Sequence, residues 1–306
     1  MSHEIERLLR AAASDHWFIH PAKAEQILAA IALRVSAGPR SEPAFPDAQP
    51  VAMSGESRRG ERMIRVVRLH GSIMPRGNMM SDMSGAVSLE RFQAAFRQAA
   101  EDSSTSAIVI DIDSPGGNVS LVPETVALIR SYRSADRPIV AMANTMAASA
   151  AYWIAMAADE LVVTPSGQVG SIGVYMMHQE MSTRLAEEGV KVTFAKHGPR
   201  KTEGNPYEPL DEAALRAMEE DGRQYYDMFV NDVAKGRGVP ASVVRADPEA
   251  GEKHFGGGRC YSAAVAVKLG MADRVATMEE TLARLSKGGR VGKRRASIER
   301  RRLALS

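Results

Sequence analysis

Two short stretches hold the residues whose types and spacing could do chemistry. The first is DIDSPGGNVS (111–120), a Pro-Gly-Gly turn between an apolar run and a helical pattern. Adjacent glycines permit positive φ and let the backbone come close to a ligand. N–H groups freed at such a turn, beside a helix start, suit a developing negative charge. An ordinary tight turn with no ligand is the competing reading. The second stretch is ANTMAASAAYWIAMAADE (143–160). Between Thr145 and Asp159, Ser149 is its only strongly polar side chain apart from the Tyr152 hydroxyl. A hydroxyl at the head of an apolar helix needs a partner or a task. A small packing residue or an N-cap is the competing reading there. Neither stretch identifies an enzyme alone.

The elements that must position them alternate between strand and helix patterns. IRVVRLHG (64–71), AIVIDID (107–113) and PIVAMAN (138–144) read as strands, the second buried on both faces. Leu89, Phe92, Phe96 and Ala99 form one helical face, and a further helix is expected from about Pro123 to Arg133. The apolar run Met146 to Ala158 is expected as a helix, ELVVTP, SIGVYMM and VKVTFAK as strands, and Gln179 to Gly189 as a helix. Beyond Asp211, Leu215, Met218, Tyr225, Phe229 and Val233 mark one long amphipathic helix. Short helices after Tyr261 and near Met278 close the body. Repeated βα units predict an α/β fold with a largely parallel sheet. Residues 1–36 read as an N-terminal helical segment, 37–62 as a flexible Pro-rich linker, 63–285 as the main domain and 286–306 as a basic tail.

The totals exclude several classes. The 306 residues are 44% apolar and 25% charged, enough to bury a core, with a net charge of +2. Lys287 to Arg302 carries eight Lys or Arg against one Glu, so the rest of the chain is mildly acidic. Cys260 is the only cysteine, which rules out an internal disulfide and leaves no cysteine pair for a metal. The start, MSHEIERLLR, does not read as a secretory leader. The longest near-apolar run is Met146 to Ala158, short of the ~20 residues that span a bilayer. A soluble protein without metal or organic cofactor is expected.

Taken together, DIDSPGGNV, AASAAYWIA, AADELVVTPSGQVGSIGV and VTFAKHGPRKTEGNPYEPL occur in an order that resembles the signal peptide peptidase A family and its phage capsid-assembly relatives. The resemblance covers roughly residues 63 to 285. It implies a crotonase-like or Clp-protease-like fold of repeated β-β-α units, a Ser-Lys dyad, and ring-like oligomers in which a neighbouring subunit can complete the site. Carried across by motif, Ser149 is the nucleophile, Lys201 (in GPRK) the general base, Gly116 and Gly117 the oxyanion hole, and Ser171 the residue that orients the lysine. Ala150 and Ala151 stand where many members have Gly-Gly, which keeps small size and alters pocket detail. Thr202 stands where Asp often follows the lysine.

A free lysine, pKa ~10.4, is protonated at neutral pH, and burial lowers that value enough for an amine to accept a serine proton. His178 and His197 are rival bases, but neither falls on a motif position. The resemblance implies polypeptide substrates, either capsid scaffold processed within a phage prohead or signal-like peptides, and a location in the cytoplasm or in a prohead inside the host. The leading segment HWFIHPAKAEQILAAIALRV resembles that of the phage and prophage versions, and this resemblance favours the capsid role. An acyl-CoA enzyme of the same fold, or a scaffold protein with a decayed site, are the readings from other classes. The basic tail could touch nucleic acid or an acidic scaffold, or be merely solvated. The Met-rich loop 76–85 could line a contact or a groove.

Overall fold

The sequence TSAIVIDIDS builds the central strand because both of its faces are covered. A computed structural model describes residues 17–19, 56–59, 62–77, 85–249, 251–288 and 291. In it the strand β6 (Thr105–Ser114) has parallel neighbours on both edges. The described strands before it are β1 (Trp17–Ile19), β2 (Glu56–Arg59), β3 (Arg62–His70), β4 (Ile73–Met74) and β5 (Val87–Ser88). After it come β7 (Gly116–Asn118), β8 (Ile139–Ala148), β9 (Glu160–Val163), β10 (Gln168–Gly170), β11 (Cys260–Ser262) and β12 (Arg274–Val275). The main sheet runs β11-β10-β8-β6-β3-β2, with β9 and β12 added beside the first half of β8. Within this main sheet pairing is antiparallel only for β2–β3 and β10–β11. A small sheet, β1-β7-β4-β5, lies beside it in the chain's β-β-α units, of which β6, β7 and the helix Val122–Ser131 form the plainest.

Alternation along each strand divides the core in two. Ile108, Ile110 and Ile112 of β6 join Ile139, Ala141 and Ala143 of β8 on one face. Helices α1 (Leu89–Glu101), α2 (Val122–Ser131), α3 (Ala150–Ala155), α5 (Glu212–Arg237) and α7 (Ala263–Leu269) contribute to that core. Ala107, Val109, Val140 and Met142 face the other way, against Leu285 of α8 (Met278–Ser286). Helix α8 starts on a capping box, Thr277 with Glu280, which satisfies two of its first N–H groups. Helix α5 is capped by the Asp211 carboxylate, 2.7 Å from the Ala214 N–H, and ends at Gly238 with φ 67°.

Several expectations differ from what is observed. The run from Met146 to Ala158 is not one helix: β8 continues to Ala148, because Met146–Ala148 pair with Gln168–Gly170, and only Ala150–Ala155 is helical. SIGVYMM is not a strand, because β10 ends at Gly170 and Val174 and Met176 lie against Gly222 of α5 instead. VKVTFAK alternates like a strand but pairs with no other strand among the described residues, and it runs as mostly exposed chain. Gln179–Gly189 holds the shorter α4 (Ser182–Glu187), and α6 (Ala241–Arg245) was not foreseen. Strand β2 forms within the stretch read as linker. The N-terminal helical segment other than 17–19, most of the Met-rich loop and most of the basic tail lie outside the described residues. No described helix is long and apolar enough to cross a membrane.

Candidate active site

Three neighbouring parallel strands end together. Ser114 of β6 is opposite Ala147 of β8, and Ala148 of β8 is opposite Gly170 of β10. The residues that follow are Pro115-Gly116-Gly117, Ser149 and Ser171. The pairing therefore brings the glycine turn, Ser149 and Ser171 to one edge, the carboxyl ends of the strands, where parallel α/β sheets bind ligands. Ser149 and Ser171 leave their strands with φ 56° and 54°, and Leu121 is the only other described non-glycine residue with positive φ.

Ser149 sits at a strand-to-helix elbow. Its ψ is −122°, its N–H donates to the Gly170 carbonyl at 2.8 Å, and its own carbonyl accepts the Trp153 N–H at 2.9 Å. The main chain is thus fixed on both sides, in a conformation that L-residues avoid. Such an elbow lifts a hydroxyl out of the strand's ladder and aims it at the sheet edge. The side chain is 1% exposed, and its hydroxyl makes no hydrogen bond among the described residues. Ser171 repeats the arrangement one strand over, its N–H donating to Arg259 O at 2.9 Å.

Helix α3 is anchored deeply, which holds the elbow still. Trp153 stacks on Phe229 of α5 with ring centroids 4.9 Å apart, and its indole N–H donates to Asp232 Oδ2 at 2.7 Å. The Tyr152 hydroxyl donates to the Met271 carbonyl at 2.8 Å, and burial pushes its pKa upward. Arg130 of α2 binds the same Asp232 carboxylate. Arg237 makes a fork to Asp273 at 2.7 and 2.9 Å and also donates to Gly270 O.

The glycine turn is shaped as its sequence requires. Gly116 has φ 99°, and a Cβ on Gly117 would lie 2.1 Å from the Ile73 carbonyl oxygen. Only glycine lets β4 come this close. The Gly116 N–H donates to the Ser114 hydroxyl at 3.2 Å. A charged oxygen would displace that long, neutral bond, since bonds to ions are about twice as strong as those between neutral groups. Ser114 is fully buried and was missed by motif reasoning, although Ser two residues before a turn N–H is a known local pattern.

Lys201 stands apart from this group. It is exposed, in the turn-rich segment between α4 and α5, and its N–H donates to Gly198 O at 3.2 Å. Its amine has no hydrogen bond or ion pair among the described residues, so a single chain does not join it to Ser149 by a hydrogen bond. The limb that carries it is held by the Met181 N–H to Pro206 O at 2.7 Å, His178 to Asn205 O at 3.0 Å, and Phe194 beside Tyr207. His178 is thereby occupied on this limb, and His197 is exposed on it. Thr202 accepts from the Lys196 amine at 3.1 Å. No cluster of His, Cys, Asp and Glu suited to a metal occurs among the described residues.

Comparison with known proteins places these features in a family. Capsid assembly protease C of Escherichia phage lambda is 30% identical over 219 residues, covering 72% of this chain and 48% of the relative. Head-tail preconnector protein GP5 of Enterobacteria phage P21 is 28% identical over 258 residues, covering 80% of this chain and 51% of the relative. A putative signal peptide peptidase SppA of Enterococcus faecium is 28% identical over 198 residues, with 65% and 55% covered. The chain spans about half the length of these curated relatives. The model of Peptidase family S49 matches residues 131–292, a span that takes in Ser149, Ser171 and Lys201. With more than half of its residues on that family's pattern, this chain belongs to Peptidase family S49.

Proposed function

We propose that the chain is a serine endopeptidase in which Ser149 is the nucleophile and Lys201, supplied by a neighbouring copy, is the general base. The observation that carries this reading is the strand register. It lines up Gly116, Ser149 and Ser171 at one sheet edge, with Ser149 in an elbow of φ 56°. In the proposed reaction a neutral Lys201 amine takes the Ser149 proton as Oγ attacks a peptide carbonyl. The carbonyl oxygen becomes an anion facing the Gly116 and Gly117 N–H groups. The ammonium then gives its proton to the leaving amine. In the second half the amine takes a proton from water, and the hydroxide attacks the acyl carbonyl. The ammonium returns that proton to Ser149 Oγ as the C–Oγ bond breaks and the acid is released. The Ser171 hydroxyl holds the amine in line.

A lysine in water stays protonated, so the base must be dried by whatever brings it to Ser149. The limb carrying Lys201 and the face of α5 beside it expose Tyr175, Met177, Val190, Val192 and Leu215, the apolar surface that a second copy would cover. The phage relatives, named a capsid assembly protease and a head-tail preconnector protein, support capsid or scaffold protein as the substrate. The SppA-like relative supports peptide degradation as the second reading.

The test is labelling of Ser149 by a fluorophosphonate, with turnover of a peptide library. Ser149→Ala, Lys201→Ala and Lys201→Arg are each expected to be inactive while folded, since guanidinium does not deprotonate. Mixing Ser149→Ala with Lys201→Ala subunits before assembly should restore about a quarter of the activity, the share of random ring contacts that join an intact serine to an intact lysine. Full activity of Lys201→Arg would remove the lysine from the mechanism. Loss of activity in the single variants without recovery on mixing would place the dyad within one chain.

A further inference from the structure

Strand β7 has only two edges, and both are taken. One pairs with β4 through Ile73 and Gly117. The other pairs antiparallel with β1, Ile19 opposite Gly116, Phe18 opposite Gly117 and Trp17 opposite Asn118. Strand β1 lies at the end of its sheet, so β7 would be an open edge without it. That edge begins at Gly116, two residues after Ser114, whose partner Ala147 is two residues before Ser149. An extended polypeptide that offers a carbonyl to Ser149 and to the glycine N–H groups must therefore lie along the edge that β1 holds. Two strands cannot share one row of N–H and C=O groups. The polarity also fits. β1 runs toward Gly116, so its chain advances to the reacting end of the groove, as an antiparallel substrate strand would.

We infer that Trp17–Ile19 is a built-in pseudo-substrate: it occupies the polypeptide-binding edge of the Ser149 site and must leave before a substrate strand can pair there. The inference rests on the peptidase reading of Ser149. Three residues form a short ladder, and two positions on stands Pro21, which brings no N–H to extend one. Such a guard is weak enough to be displaced by a longer strand or by a partner that takes the N-terminal segment away.

The experiment uses the full chain and two readouts. Neighbouring residues of a strand point their N–H groups to opposite sides. The double change Phe18→Pro with Ile19→Pro therefore removes whichever donor faces β7. Amide exchange measured on a Ser149→Ala background should show Trp17–Ile19 and Gly116–Asn118 protected in the parent, and Gly116–Asn118, which keep their amides, freed by the double change. With Ser149 intact, the double change should speed fluorophosphonate labelling and lower KM for an added peptide by about tenfold, the factor by which a groove open one-tenth of the time weakens apparent affinity. Unprotected amides at 17–19 in the parent would overturn the inference, and so would protected amides with labelling and KM unchanged. Cleavage of the chain just after Ile19 in the active protein, absent in Ser149→Ala, would make the segment a substrate and overturn its role as a guard. Protection without labelling of any form would overturn the peptidase reading, whereas labelling without protection would overturn only the guard.

Discussion

Replacing Ser149 by Gly should be better tolerated by the fold than replacing it by Ala, the reverse of the usual order. At φ 56° and ψ −122° a residue with a Cβ is strained, and both Ser and Ala bear that strain. The cost of such a conformation is of order 1–3 kcal/mol, so about 2 kcal/mol is released by Gly. Against it stand about 0.7 kcal/mol for the freer unfolded chain and about 0.8 kcal/mol for one buried methyl lost. The balance favours Gly by roughly 0.5 kcal/mol, the difference of those three figures. Ser120 supplies the reference, because it is exposed and does not have positive φ. There Gly should be worse than Ala by about 0.7 kcal/mol, leaving a contrast of about 1 kcal/mol between the sites. The assay is urea unfolding of the four variants at one fixed protein concentration, compared at a common slope. Equal Gly-minus-Ala differences at 149 and 120 would refute the view that the elbow is strained, and with it the account of how the hydroxyl is aimed.

Other outcomes follow from the same contacts. Asp232→Ala leaves the Trp153 indole N–H and the Arg130 guanidinium without their carboxylate, and should cost about 2–3 kcal/mol in urea unfolding, below the 3–5 of a fully buried pair because both charges are partly wet. Cys260, opposite Gly170 and half-buried, has its thiol pushed up to about 11 by burial, so iodoacetamide should modify it slowly at neutral pH and faster in urea. Hydrogen bonds from Ser104 and then from Arg65 hold the Asp102 carboxyl down at about 2 against an ordinary 3.8. A depressed carboxylate stabilises the fold above its unfolded pKa, so this contribution should be full above pH ~4 and fade toward pH ~2. Unfolding titrations of Asp102→Asn should show a shallower loss across that window.

Much of the fold was legible because its signals are local. The β-branched run 107–112 needs burial on both faces, and the 3.6-residue spacing from Leu215 to Val233 admits only a helix. The glycine turn and the serine were visible as chemistry that packing alone does not require. What escaped depends on partners distant in sequence. Met146–Ala148 has the composition of a helix, and only pairing with Gln168–Gly170 makes it strand. VKVTFAK has the alternation of a strand, yet no edge among the described residues pairs with it. The pairing of Trp17–Ile19 with the glycine strand spans about a hundred residues, and periodicity carries no trace of it.

The two halves of the proposed dyad differ in how they are built, and that difference has a consequence. Ser149 is fixed by ladder bonds, by a clamped helix and by burial to 1% exposure, so its position is set once the sheet has formed. Lys201 lies exposed on a limb tied mostly to itself and to α5. The contact between copies proposed here would supply position and dryness in one step, because the surface that carries the amine to Ser149 also expels the water around it. Neither would be gained separately, so an isolated chain would hold an aimed hydroxyl without a base. Activity per chain would then rise with assembly, as mass action requires when association completes a site. Constant specific activity on dilution to monomers would break this link, and would require a base already poised within the single chain.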